Sequence, residues 1–200
     1  GMFITTFAGT KERYKPIKPE VTEKKKKHPI KTIKILCSNK YFILITLAFA
    51  IIYTSLGLTG GSRIYYAKYV LGNEMINSTM TLFNYIPTIL TIMLIPIFAK
   101  KFGKIKALFV GFLFYGAGLI LEIAGPVNLP MIYGGLVLQG IGHAALYSCL
   151  FAIVGDVVDY SEWKDGIREE GLTYSVTSFG QKIGTGLGTA ALGWILAAGN

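Results

Sequence analysis

Long charge-free stretches alternate with short charged segments along this chain of 200 residues. A helix needs about 20 apolar residues to cross the hydrocarbon core of a bilayer. Five stretches reach this length or come close to it, and the shortest gains apolar residues beyond Glu122. We therefore predict five membrane helices, over residues 41–62, 75–99, 107–124, 131–155 and 171–198.

Polar positions inside three of these segments repeat at helical spacing. The sets are Thr81, Asn84, Thr88 and Thr91; Gln139, His143 and Tyr147; and Tyr174, Ser178 and Lys182. Because residues three or four apart share one face of a helix, each set forms a polar stripe. Polar stripes on several membrane helices indicate a bundle built around a wet cavity. On another side of the last helix, Gly180, Gly184 and Gly188 predict close approach of a second helix.

Lys182 is the only charged residue between Gly171 and Asn200. At a rise of 1.5 Å per residue it lies roughly 16 Å from the start of its helix, near the middle of the bilayer. A charge at this depth costs about 2.5–3.5 kcal/mol unless it faces water or a partner. The membrane segments of this chain offer it only Glu122, predicted at the opposite face. We expect a carboxylate partner from outside this chain.

The net charge of +9 is concentrated before Tyr41, where eleven of the 20 Lys and Arg residues lie. Nucleic-acid binding is one interpretation of such a run. Beside five hydrophobic spans, a cytoplasmic segment that follows the positive-inside rule is the simpler one. We therefore predict a multi-pass protein of the cell (inner or plasma) membrane, with residues 1–40 cytoplasmic, lipids as partners and no nucleic acid. This orientation places Arg63 and Lys68 outside.

The chain shows no pattern of catalytic or metal-binding residues. Cys37 and Cys149 fall in different predicted compartments, and His28 and His143 are also far apart in topology. No nucleophile, base and orienting residue come together, and there is no nucleotide-binding loop. We predict no enzymatic activity, no metal site and no cofactor.

The charged segment after the fourth predicted helix has a recognisable sequence. It reads Gly-Asp-Val-Val-Asp-Tyr-Ser-Glu-Trp-Lys over residues 155–164, and residues 166–171, 174–175 and 182–184 continue the pattern. This pattern resembles the loop and eleventh helix of the glycoside–pentoside–hexuronide:cation symporters, which belong to the major facilitator superfamily. Residues 6–13, 66–73 and 98–104 resemble that family's end of helix six, its outer loop after helix seven and its loop between helices eight and nine.

The resemblance implies an all-α membrane protein, the C-terminal half of the major facilitator fold, with helices seven to eleven of twelve. Residues 1–40 would be the end of helix six and a basic cytoplasmic central loop, and residues 41–200 the C-terminal bundle. The implied function is cation-coupled (Na⁺ or H⁺) uptake of a sugar or glycoside by alternating access. The cation would bind mainly in the missing N-terminal half, so this chain alone would be inactive.

The resemblance also implies the substrate-binding residues. Lys182 matches the family's helix-eleven lysine, and Tyr147 matches an aromatic position of helix ten. Thr177 and Ser178 match polar positions one turn before the lysine, and Gln181 lies close beside them on the same helix. Tyr147 and Thr177 replace the Trp and Gln of the melibiose branch, which points away from melibiose itself.

Acidic and basic residues between the last two predicted helices form a candidate intracellular gate. They are Asp156, Asp159, Glu162, Arg168 and Glu170. Such groups can pair across the two halves of a transporter when the cytoplasmic side is closed, and separate when it opens. A solvated loop is the alternative, since exposed ion pairs are individually worth about 0–1 kcal/mol.

Two other functions are consistent with the residues. One is a non-transporting membrane module, a sensor or assembly partner built on half of a transporter. The other is a membrane enzyme that acts on lipids or sugars.

Overall fold

The computed structural model describes residues 39–165 and 170–199, and these residues form α-helices with no strand. The predicted cytoplasmic segment before Asn39 and the gate residue Arg168 lie outside the described residues. The helices are α1 (Lys40–Tyr69), α2 (Ile76–Ile92), α3 (Ile95–Phe102), α4 (Lys104–Ala124), α5 (Leu129–Asp165) and α6 (Glu170–Ala198). The all-α fold expected from the hydrophobic pattern is confirmed.

Two helix pairs and a shared central helix organise the bundle. α4 packs along α5, α1 packs along α6, and α2 lies on another side of α5. The largest buried cluster joins α1 to α5 through Phe42, Phe49, Leu150 and Val154. α5 therefore contacts most of the bundle, and its polar side chains lie where several helices meet.

Glycines allow the α1–α6 contact, as the sequence predicts. Gly180, Gly184 and Gly188 are buried on the face of α6 that meets α1. A Cβ at Gly184 would collide with the carbonyl oxygen of Ala50, and a Cβ at Gly188 with that of Thr54. The two backbones are close enough that only hydrogen atoms fit between them.

The second predicted span is a bent pair of helices. α2 and α3 meet at an angle of 52° across a break at residues 93–94. Pro96 lies in the first turn of α3. The backbone N–H groups of a first turn have no acceptor within the helix, so a proline there removes no helical hydrogen bond. A second proline, Pro87, lies inside α2 without ending it. Only one of the two prolines therefore marks the break.

The fourth predicted span, residues 131–155, corresponds to α5, and α5 is longer than predicted. α5 continues to Asp165, so most of the charged segment that resembles a loop is helical. Val157, Val158 and Ser161 are buried on this extension, and the Asn39 side chain donates a 2.9 Å hydrogen bond to Ser161 Oγ. These contacts with the start of α1 stabilise the part of α5 that extends beyond the predicted span.

Three helices in the described part of the chain are long and apolar enough to cross a membrane. They are Lys40–Val70, Lys104–Ala124 and Leu129–Lys164, and the bent α2–α3 pair makes a fourth if it forms one span. α6 has 29 residues, but its many Gly, Ser, Thr and Gln residues lower its mean hydropathy. The structure places a helix at 170–198, and its membrane crossing stays a prediction.

Candidate functional site

A central cavity of about 220 Å³ lies where α1, α2, α5 and α6 meet. Its polar and aromatic lining residues are Tyr53, Thr59, Arg63, Asn84, Tyr85, His143, Tyr147 and Thr185. Parts of the polar stripes of α5 and α2 thus come together at one site. Hydroxyl, amide and guanidinium groups offer both donors and acceptors to a small polar ligand.

Tyr147 belongs to an aromatic wall of the central cavity. Its ring centroid lies 6.3 Å from that of Tyr53 and 5.7 Å from that of His143. Tyr115 lies behind His143 at 5.0 Å. These contacts hold the Tyr147 ring in place, and its partly exposed face can contact an apolar face of a ligand.

Lys182 and Ser178 lie on a different, more open surface. They line a groove on one face of α6 together with Tyr174, Ser175 and Phe179, and this lysine groove has a volume of about 420 Å³. Lys182 is exposed, about 18 Å along α6 from Glu170. No Asp or Glu oxygen among residues 39–165 and 170–199 lies within 4.0 Å of its Nζ.

Thr177 and Gln181 lie closer than Lys182 to the face of α6 that packs on α1. Thr177 is fully buried, and its hydroxyl donates to the carbonyl oxygens of Thr173 and Tyr174 in its own helix. Gln181 is partly buried, and its backbone carbonyl accepts the Thr185 hydroxyl at 3.0 Å. Of the five predicted substrate residues, the structure therefore groups Ser178 with Lys182, places Tyr147 in the central cavity and packs Thr177 between helices.

Arg63 is the site residue that sequence reasoning missed. The sequence predicts Arg63 only as a charge on the outer side, and the structure places it inside α1, where it lines the central cavity. Its Nη2 donates a 3.0 Å hydrogen bond to Oε1 of the buried Gln139 on α5. The available signal was the polar stripe of α5, because a buried Gln139 needs a partner from a facing helix.

The polar stripe of α2 faces α5 more than the cavity. Asn84 Nδ2 donates to the carbonyl of Leu136 at 3.1 Å, and Thr88 Oγ1 lies 3.0 Å from the carbonyl of Gly140. Gly140 has no side chain, which lets α2 approach the α5 backbone. These polar groups bind two helices together, and only Asn84 also reaches the central cavity.

The four candidate gate residues that the structure describes lie in the last third of α5 and at the start of α6. Asp156 Oδ1 accepts a 2.6 Å hydrogen bond from Lys104 Nζ at the start of α4, and this ion pair binds Asp156 within the bundle. Asp159, Glu162 and Glu170 also take part in polar or electrostatic interactions. Their position at one end of the bundle fits the predicted cytoplasmic side.

Comparisons with known proteins identify the type of protein. The family model described as "MFS/sugar transport protein" matches residues 1–200. The isoprimeverose transporter of Lactiplantibacillus pentosus is 30% identical over 99% of this chain and 41% of its own length. A putative sulfoquinovose importer of Salmonella typhimurium is 31% identical over 90% of this chain and 38% of its own. The raffinose carrier protein of Pediococcus pentosaceus is 26% identical over 81% of this chain and 25% of its own.

The chain spans about two fifths of the length of the first two relatives and a quarter of the third. All three are named as transporters or carriers rather than enzymes. No solved structure matches the chain significantly.

Proposed function

The chain belongs to the MFS/sugar transport protein family, and on this basis we propose that it forms the C-terminal portion of a cation-coupled sugar transporter. It is a multi-pass membrane protein, and we place it in the cell membrane with residues 1–40 in the cytoplasm. The substrate would be a sugar or glycoside, because related proteins carry isoprimeverose and raffinose. The coupling ion would be Na⁺ or H⁺.

The observation that carries this proposal is the exposure of Lys182 in a polar groove halfway along a long helix. A membrane lysine at this position needs water or a counter-charge. The hydroxyls of Ser175 and Ser178 share the groove, which makes it suitable for a hydrated path rather than for lipid. Carboxylates of a facing N-terminal half would supply the counter-charge and hold the cation.

The central cavity would bind the sugar from the C-terminal side. Tyr147 would contact one face of the sugar ring, while Arg63, Asn84 and Thr185 would hydrogen-bond its hydroxyls. At about 220 Å³, the cavity is small for a complete site, so the facing half would complete it. The isolated chain would therefore not transport.

Alternating access would move the two halves around this site. Asp156, Asp159, Glu162, Arg168 and Glu170 would contribute to the cytoplasmic gate. Lys104 would hold Asp156 in position at the start of α4.

The test is uptake by the full-length protein that contains this chain. Proteoliposomes receive radiolabelled glycosides and glucuronides, each with and without a Na⁺ gradient and with and without a proton gradient. We expect uphill accumulation of at least one sugar that depends on one of the gradients. Sugar uptake without dependence on either ion would contradict coupling. Absence of uptake for the whole panel would favour a non-transporting membrane module.

A further inference from the structure

A second polar cavity lies between α1, α2, α4 and α5, at the end of the bundle that the proposed orientation places outside. This outer cavity has a volume of about 440 Å³. Its polar lining includes Thr59, Ser62, Arg63, Glu122 and Gln139. Only Thr59 and Arg63 also line the central cavity, so these two residues connect the two spaces.

Two buried polar atoms in the outer cavity lack a protein partner. Within residues 39–165 and 170–199, neither Glu122 Oε1 nor Gln139 Nε2 makes a hydrogen bond. Gln139 is 1% exposed, and nearly all polar groups buried to this degree are bound to protein or water. The two side chains are neighbours, so these atoms can bind each other or a small exchangeable species such as a proton.

The position of Glu122 is set by the close packing of α4 on α5. A Cβ at Gly135 would lie 3.0 Å from Glu122 Cγ, so the absence of a side chain there makes room for the carboxylate on the α5 surface. Gln139 follows Gly135 by one turn and lies beside the Glu122 carboxylate. Arg63 binds the Oε1 end of this amide, which leaves its Nε2 end for the carboxylate.

The charges around Glu122 favour two alternative states. No ion pair within 4.0 Å joins Glu122 to Arg63 among the described residues, because Arg63 is bound to Gln139 instead. A carboxylate in this environment is stable either as a neutral acid or as an ion paired with the guanidinium. In the structure Arg63 is bound to Gln139, and we expect deprotonation of Glu122 to draw the guanidinium toward the carboxylate.

Few other titratable groups surround this carboxylate. From α1, Tyr66 lines the cavity, and its hydroxyl donates to the carbonyl of Pro126. From α5, His143 lies one turn beyond Gln139 and faces Tyr115 of α4. α2 contributes Met80, which does not titrate. Among residues 39–165 and 170–199, Arg63 is the one permanent charge that lines the cavity with Glu122.

We propose that Glu122 is a proton-binding site in this half of the transporter, and that Arg63 links its protonation to the central cavity. The proton comes from the outer solution and binds a carboxylate oxygen of Glu122, with no other bond made or broken. Because Arg63 lines both cavities, its movement toward Glu122 removes a hydrogen-bond donor from the sugar side. The proposal rests on the proposed transport function, since it assigns the central cavity to the sugar.

Infrared spectroscopy of the purified full-length protein tests the site without any transport measurement. A protonated carboxyl group has its own carbonyl band, which disappears as the pH rises. We expect Glu122→Gln to remove one such titrating component from the spectrum and Glu122→Asp to retain it. Glu74→Gln is the matched control, because Glu74 lies in the outer loop paired with Lys68 and should leave the component intact. An identical titration in Glu122→Gln and the wild type would overturn the proposal.

Sugar uptake at different external pH tests the link to the central cavity. The probe is whichever sugar the uptake panel identifies. We expect the apparent KM of the wild type to change with external pH, and Glu122→Gln and Arg63→Gln to lose most of that change. An unaltered pH dependence in both variants would overturn the link, while uptake itself would leave the proposed transport function intact. If no sugar is transported, the proposed function fails, and the infrared result still decides whether Glu122 binds a proton.

Discussion

Lys104 Nζ lies 2.6 Å from Asp156 Oδ1, and this ion pair joins the start of α4 to the extension of α5. The same ammonium group donates a 3.2 Å hydrogen bond to the carbonyl of Ala152. Gly103, with φ of 91°, turns the chain sharply just before Lys104 and directs α4 onto α5. Lys104 therefore connects the start of α4 to the end of α5 that carries the candidate gate.

The first prediction concerns this ion pair. Both side chains are about half exposed, so Asp156→Asn should change the free energy of unfolding by no more than about 1 kcal/mol. If the pair positions the gate, the initial rate of sugar uptake should nevertheless fall several-fold. Thermal unfolding and uptake by the full-length protein measure the two effects.

Charge reversal provides the control for this prediction. The double variant Lys104→Asp/Asp156→Lys should recover much of the rate that either single variant loses, because it restores an ion pair at the same place. Lys106→Gln, an exposed lysine two residues away, should be close to the wild type. Equal rates for Asp156→Asn and the wild type would remove Asp156 from the gate.

The second prediction concerns the contact between α1 and α6. A side chain at Gly184 would meet the Ala50 carbonyl and the Tyr53 Cβ, so Gly184→Leu must push the helices apart. Overpacking of this kind costs about 1–3 kcal/mol or more. Gly186→Leu is the matched control, since no atom lies within 4 Å of a Cβ there. Thermal stability in detergent should fall for the first variant only, and equal melting temperatures would show that the close contact is wrong.

The third prediction concerns the aromatic wall of the central cavity. Tyr147→Phe keeps the ring and should alter the apparent KM for sugar only slightly. Tyr147→Ala removes about 1 kcal/mol of ring contact and should raise KM several-fold. Phe151 is the control, because it packs edge-on against Phe49 and does not line the cavity. If Phe151→Ala raises KM as much as Tyr147→Ala, the effect is one of packing rather than of sugar contact.

The hydrophobic pattern was sufficient to predict most of the fold. Each of the five predicted segments contains a helix, and the glycines of α6 predicted the close approach of a second helix, which the structure identifies as α1. The pattern did not predict the helical end of α5, because charged residues 156–165 contain no local signal for the packing of Val157 and Ser161 on α1. It also did not predict the bend between α2 and α3.

The site was harder to predict than the fold. Lys182 and Tyr147 could be selected from the family resemblance, and the structure places both on accessible polar surfaces. Thr177 lies one turn from this surface yet is buried, because it belongs to the face of α6 that also carries the buried Gly180 and Gly184. Arg63 gave no sequence signal of its own, and its role emerges only from the facing Gln139.

The most direct test of the central claim is uphill sugar accumulation by the full-length protein with Lys182→Ala. The sugar is again the one that the uptake panel identifies. Lys106→Ala serves as the matched control, because Lys106 is also an exposed lysine but lies at the start of α4, away from the groove. Removing Lys182 should abolish accumulation driven by the ion gradient, since the counter-charge between the two halves is lost. Full accumulation by Lys182→Ala, equal to that of Lys106→Ala, would contradict a role for Lys182 in ion-coupled transport.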